Sequence, residues 1–320
     1  MNVFFKKIFL FCFVVFLTNH LVDYWFSYPN KIYENALIEK KQMKWNSIKE
    51  EKYEKIILGT SKAYNAYNPN VLDSFFVGKT YNMATGSQHI SESFFILKEI
   101  LNYQQPKLII LDLYSTSFNK PDWYHILKNE KYFSKKNKLL LYSYYPEEIL
   151  INKLLPLNYL KSYLRKKSLK QRFAFDSSDL INNWSKGWER KDTLNTYVNM
   201  KKIKLNTYDY NSNLFNSNLY FLNKINKICL ENNIDLICVR APFPNSRFEL
   251  SNKDEENEFW TKKLKEMEIY FYDFNYSSDN YYPDSYFSDN SHMNFIGSNV
   301  VTNELVKLLK SRTRNEHSKK

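Results

Sequence analysis

The sequence predicts an α/β protein, a three-layer α/β/α sandwich on a central parallel sheet of about five strands, interrupted by a mostly helical insertion. Three observations predict it. Short, uniformly apolar runs recur, such as Lys107-Leu-Ile-Ile-Leu-Asp-Leu113, as strands covered on both faces require. Helical periodicity separates these runs, and strands alternating with helices give a parallel sheet with right-handed crossovers. The alternation then stops for about 100 residues and resumes.

Taken in order, Lys55 to Gly59 reads as a buried strand and 66–76 as a short helix with Pro69 near its start. A second strand follows from Lys79 to Met83. Ser87 to Tyr103 reads as an amphipathic helix, with Ile90, Phe94, Leu97 and Leu101 at helical spacing. The third strand ends at Leu113. Residues 114–213 form the insertion, with helices expected near 136–144, 146–154 and 158–170, and a polar run around 205–217. Beyond it come a helix at 218–232, the strand Ile234 to Arg240, a helix near 252–267, the strand Ile269 to Phe274 and a final helix from about Asn294 to Lys310. The α/β domain thus comprises 53–113 and 214–311, with 312–320 a disordered tail.

At 43% hydrophobic and 18% aromatic residues, the 320-residue chain folds around a substantial core. The segment Lys120 to Lys204 holds 19 Lys and Arg against 8 Asp and Glu, a net +11 of the chain's +12. Solvated helix faces beside a membrane account for such a run, as does an acidic partner. Nucleic acid is not expected, because the sequence has no zinc finger, RNP-like pattern or repeated basic helix. Cys229 and Cys238 read as core residues, and the three cysteines offer neither a disulfide framework nor metal spacing. No cofactor or metal is expected.

At the N-terminus Lys6-Lys7 precede ten apolar residues, Ile8 to Leu17, in the order of a secretory signal. No small-x-small cleavage site follows, which favours an uncleaved signal anchor over 1–27 above a cleaved peptide. The span would extend through Tyr24-Trp25-Phe26, whose aromatics suit a membrane interface. Lysines ahead of it place the N-terminus in the cytoplasm and the rest outside, in the periplasm or at the cell surface. Residues 28–52 read as a partly helical juxtamembrane stalk.

The chemistry lies at the chain's two ends. Gly59-Thr60-Ser61 follows the apolar run Ile56-Ile57-Leu58, so the Ser61 hydroxyl sits at the carboxyl edge of the sheet, where α/β proteins bind ligands. Asp289-Asn290-Ser291-His292 precedes the last helix, at the same edge. His292 can take the serine proton, and Asp289 can hold the imidazole in the required tautomer. Gly86 follows the second strand, and its N–H, with that of Ser61, can supply oxyanion donors. Each motif taken singly has a structural reading: a helix cap for Ser61, a turn for Gly86. Arg240, at a strand end, either contacts an anionic substrate or forms a structural salt bridge.

With these residues the chain resembles the SGNH, or GDSL-type, hydrolase superfamily, whose sheet is flavodoxin-like. Ile57–Ser61 looks like its first block, Gly86 its second and Asp289–His292 its fifth. Ile57–Pro69, Tyr81–Gly86 and Phe287–Gly297 look like its membrane-anchored, extracytoplasmic branch, which includes alginate O-acetyltransferase and D-alanyl-transfer proteins. The third block, Gly-x-Asn-Asp, is absent, and Tyr114-Ser115-Thr116 stands there. The resemblance implies an envelope O-acyltransferase that forms an acyl-serine and modifies a surface glycan, with a multi-span membrane partner delivering the acyl group. The basic insertion would then be a lid or acceptor-binding subdomain. Two other readings remain open at this point: an extracytoplasmic esterase or deacetylase, and a non-catalytic glycan-binding or scaffold protein.

Overall fold

The computed structural model describes residues 31–114, 118, 123–154, 184–192, 212–248, 253–276 and 282–317, with shorter pieces between 4 and 21. It divides into two compact units, Met1–Met43 with Trp123–Asn182, and Lys44–Asp122 with Asn183–Lys320.

The second unit contains a five-stranded parallel sheet. Its strands are β1 (Lys55–Leu58), β2 (Thr80–Asn82), β3 (Leu108–Asp112), β6 (Asp235–Arg240) and β7 (Tyr270–Asp273), in the order β2-β1-β3-β6-β7. A separate two-stranded hairpin consists of β4 (Trp184–Ser185) and β5 (Trp188–Glu189). Ile56, Ile57 and Leu58 are fully buried, as are Ile109 and Ile110 beside them, which explains why these strands read as unbroken apolar runs. The chain winds outward from β1 in both directions, so connections leave β1 and β3 toward opposite sides. Ligand sites in open α/β sheets form at such a switch point, beyond the carboxyl ends of the strands.

The helices in chain order are α1 (Lys31–Glu50), α2 (Ser61–Ala66), α3 (Pro69–Phe75), α4 (Ile90–Ile100), α5 (Trp123–Glu130), α6 (Lys135–Tyr144), α7 (Pro146–Leu154), α8 (Asn213–Glu231), α9 (Asn245–Phe248), α10 (Lys253–Glu266) and α11 (Phe295–His317). One face of the sheet carries α2, α3 and α11, whose Ala63, Ala66, Leu72, Val301 and Leu305 share a buried cluster with Ile57, Ile110 and Ile237. Ser298 and Thr302 donate from α11 to the Ala66 carbonyl, at 3.0 and 3.2 Å. The other face carries α4 and α8, where Phe94 and Phe95 meet Phe221. Cys229 and Cys238 are buried free thiols, as core residues should be.

The expected helix at 66–76 begins earlier and splits in two. Pro69 biases its predecessor away from helical geometry. Asn68 is extended there, and its side chain caps α3 by accepting from Asn70 N–H at 3.0 Å. The helix expected from 218 starts instead at Asn213, within the polar run, because Ser212 caps it by accepting from Phe215 N–H.

The segment expected as one insertion divides. Helices α5, α6 and α7 belong to the first unit, where Ile126, Phe133, Leu141 and Ile149 are buried and the Tyr132 hydroxyl donates to the Ile38 carbonyl at 3.2 Å. The hairpin belongs to the α/β unit. The expected stalk likewise ends as core: Trp45 and Ile48, in the last turns of α1, are each 1% exposed. The helix expected at 158–170 lies outside the described residues. Among the described residues no helix is long and apolar enough to cross a membrane.

Candidate active site

Where β1 ends, the chain has two residues, Gly59 and Thr60, in which to turn from strand to helix. Gly59 makes that turn at φ +144°, and a Cβ there would lie 2.8 Å from Asp112 Cβ and 2.9 Å from Ala63 Cβ. Only glycine fits. Thr60 then caps α2 by accepting from Lys62 N–H at 3.2 Å, which leaves Ser61 as the first helical residue. The Ser61 N–H is one of the helix-terminal amides that have no intrahelical acceptor.

The second half of the site is the loop between β7 and α11. Phe287 and Met293, both buried, pair across it, and Ser288 N–H donates to the His292 carbonyl at 2.8 Å. Inside this ring the Asp289 carboxylate accepts from the backbone N–H of Ser291 at 2.8 Å and of His292 at 2.9 Å. It also faces His292 Nδ1, 2.8 Å from Oδ2 and 3.0 Å from Oδ1. The opposite ring nitrogen, Nε2, lies 2.8 Å from Ser61 Oγ. An acidic acceptor at Nδ1 places the ring proton there and leaves Nε2 free to accept from the serine hydroxyl. Partial burial alone would raise the Asp289 pKa. The hydrogen bond and charge of His292 and the two backbone N–H groups outweigh it, and the carboxyl is held well below its ordinary range.

Gly86 lies on the loop after β2, where Thr85 N–H donates to the Gly59 carbonyl at 3.1 Å and ties this loop to the turn that carries Ser61. A Cβ on Gly86 would meet nothing within 4 Å, so one side of this residue is open. Neither Gly86 N–H nor Ser61 N–H donates to another group among the described residues. Asn82 is no third donor. Its amide is buried and spent on the Ala63 and Tyr67 carbonyls, each at 3.1 Å.

Arg240 does not belong to this site. Its side chain is 2% exposed, 3.0 Å from Asp273 and 2.5 Å from Glu256, so two carboxylates hold the guanidinium inside the fold. Desolvation makes a buried arginine costly unless it is paired in this way, and the substrate-binding reading gives way to the structural one. A second Asp-x-x-His occurs at Asp122 to His125; neither side chain falls among those described.

The sequence matches no protein-family model and no curated protein. The site must be read from its own geometry. Among the described residues no group of three or more His, Cys, Asp or Glu could hold a metal ion.

Two parts of the site were not expected. The first is the hairpin. Its turn residues Lys186 and Gly187 have φ of 47° and 79°, as a tight hairpin turn demands. At Gly187 a Cβ would fall 2.0 Å from the Asn82 carbonyl oxygen. Asn82 N–H donates to the Lys186 carbonyl at 2.9 Å, Trp188 Nε1 donates to the Asn65 carbonyl, and Asn65 returns a bond to the Glu189 carbonyl. Two residues on, the Lys191 carbonyl accepts from Phe295 N–H at 2.7 Å, and Lys191 Nζ lies 3.9 Å from Asp289 Oδ2. The hairpin thus braces the helix that carries the serine and the loop that carries the histidine. Trp-Ser-Lys-Gly-Trp, with aromatics flanking a glycine turn, was its signal.

The second is Asp112, at the carboxyl end of β3. It is fully buried and accepts from the Tyr67 hydroxyl at 2.9 Å and Ala241 N–H at 2.8 Å. Burial pushes its pKa up to about 6, against the opposing pull of Lys62 and these donors. The folded protein therefore holds this proton more tightly than the unfolded chain does, and stability falls as pH rises from about 4 to 6. Raising the carboxyl from its ordinary range to about 6 corresponds to about 3 kcal/mol. Urea melts should show wild type losing roughly that much relative to Asp112→Asn between pH 4 and pH 7. Parallel pH curves for the two proteins would place the titration elsewhere.

Proposed function

We propose that this chain is an SGNH-type serine acyltransferase of the cell envelope, which carries an acyl group, most simply acetyl, through Ser61 to a hydroxyl of a surface polysaccharide. The observation that supports it is the row Ser61 Oγ, His292 Nε2, His292 Nδ1 and Asp289 Oδ2, with 2.8 Å at both hydrogen bonds. A core needs no such alignment between residues 231 positions apart.

The chemistry follows from the geometry. Ser61 Oγ attacks the acyl carbonyl of the donor as its proton passes to His292 Nε2. The tetrahedral oxyanion faces the N–H groups of Ser61 and Gly86, which are worth most when aimed at charge that exists only in the transition state. His292 returns the proton to the departing donor group and an acyl-serine remains. A glycan hydroxyl then gives its proton to Nε2 and attacks the ester carbonyl; the bond to Ser61 Oγ breaks, Nε2 passes the proton to that oxygen, and the acyl group leaves on the glycan. Transfer prevails over hydrolysis when water is kept from the ester. A signal anchor would hold the site outside the cytoplasm, beside a multi-span partner supplying the acyl group.

A chromogenic acetate ester assayed with and without an acidic polysaccharide tests this reading. Acetyl recovered on the polymer, with chromophore release accelerated by the polymer, is the expected result. Equal release in both arms, with free acetate as product, would make the protein an esterase.

A further inference from the structure

Lys44 lies in the last turns of α1, a segment whose many lysines suggest a solvated surface. Yet it is 3% exposed. Its ammonium donates to the Asn82 carbonyl at 3.0 Å and the Ala84 carbonyl at 2.5 Å, and lies 4.7 Å from the centre of the Trp184 ring. The first carbonyl ends β2 and the second lies on the loop that runs on to Gly86.

A buried ammonium costs several kcal/mol of desolvation, and a neutral donor could satisfy one carbonyl more cheaply. What the cation adds is one rigid point that fixes two peptide groups at once. The N–H groups of the same stretch point to other partners: Met83 to the Ile57 carbonyl at 2.8 Å, and Thr85 to the Gly59 carbonyl at 3.1 Å. Ala84 N–H donates to the side chain of Asn82 at 3.1 Å. The carbonyls of Asn82 and Ala84 are thereby held by Lys44, and the N–H groups of Met83, Ala84 and Thr85 by β1, Asn82 and the turn that carries Ser61. Gly86 N–H is the next amide and the first without such a bond among the described residues.

We propose that Lys44 is a positioning residue for the oxyanion donor: its buried charge sets the backbone of 82–85 so that Gly86 N–H is presented in a fixed direction. The role in turnover rests on the acyl-transfer reading; the setting of the loop does not.

The test uses the full chain and compares wild type with Lys44→Met and Lys44→Arg. Loss of one oxyanion donor lowers kcat by about 100-fold or more, so Lys44→Met should lose about 10- to 100-fold in kcat on the chromogenic ester, with KM changed less than twofold. Amide exchange across 83–87 should quicken about tenfold or more as the local protection is lost, while β3 and β6 exchange as before. Lys44→Arg keeps the charge without a single donor between both carbonyls, and should fall between the two. Wild-type kcat and exchange in Lys44→Met overturn the inference. Should Lys44→Met fail to fold, Lys44→Arg decides: intermediate values support the inference and wild-type values overturn it. A wild-type protein that neither turns over ester nor labels at Ser61 sinks the acyl-transfer reading alone, since exchange at 83–87 still reports on Lys44.

Discussion

Ser61→Ala is expected to lower kcat by about 10⁵-fold or more, and His292→Ala by a similar factor, while the double variant loses little beyond either. On the acyl-transfer reading, hydroxyl and imidazole act as one device. A serine hydroxyl attacks at a useful rate only as its proton leaves, and Nε2 at 2.8 Å is the base in place to take it. Without the hydroxyl the ring has nothing to deprotonate in the first step; without the ring the hydroxyl keeps its proton. Both substitutions should leave the fold intact. Alanine suits the first turn of a helix, and the only hydrogen bond of the Ser61 side chain among the described residues is the one to His292. A fluorophosphonate probe gives the sharpest readout, because it needs the nucleophile and its base but no acceptor. Wild type should label at Ser61, and neither variant should. Labelling of His292→Ala at the wild-type rate would show that another base serves the serine.

Most of the sheet was legible because buried parallel strands leave an unmistakable mark. Ile56-Ile57-Leu58 and Leu108 to Leu111 have no polar residue to suggest a wet face, and in the structure they are the centre of the sheet. The triad was legible for a related reason: a serine directly after one such strand and a histidine after the last must lie on the same sheet edge. The remainder depends on contacts that no local pattern encodes. Strands of two residues, as in the hairpin, are too short to show a period. Arg240 at a strand end looks the same whether it meets a substrate or the carboxylates of Asp273 and Glu256, 33 and 16 positions away. Lys44 is harder still. In a helix where Lys49 is exposed while Lys40 and Lys41 are buried, nothing in the chain separates a lysine in water from one buried against two carbonyls. Buried charge is invisible to hydrophobic patterning, and here it surrounds the nucleophile's turn, in Lys44, Lys62 and Asp112.

Asp289→Asn separates orientation from structure, and is expected to lower kcat by about 10⁴-fold with little change in melting temperature. An amide oxygen can still accept from the N–H groups of Ser291 and His292, so the loop keeps its turn. The amide nitrogen, however, is a donor where the carboxylate was an acceptor. Facing it, His292 Nδ1 must give up its proton and Nε2 must carry it, and a protonated Nε2 cannot receive the proton of Ser61. Asp289→Ala should cost more stability, since the two backbone N–H groups then lose their acceptor. The pH dependence of unfolding gives a second reading. A carboxyl held below its ordinary range stabilises the fold above that range, and the contribution disappears as pH falls below it. Wild type should therefore lose stability in acid relative to Asp289→Asn, whose amide does not titrate. An Asn variant within tenfold of wild-type kcat would mean that the carboxylate holds the loop but does not set the tautomer, and the histidine would then need another orienting group.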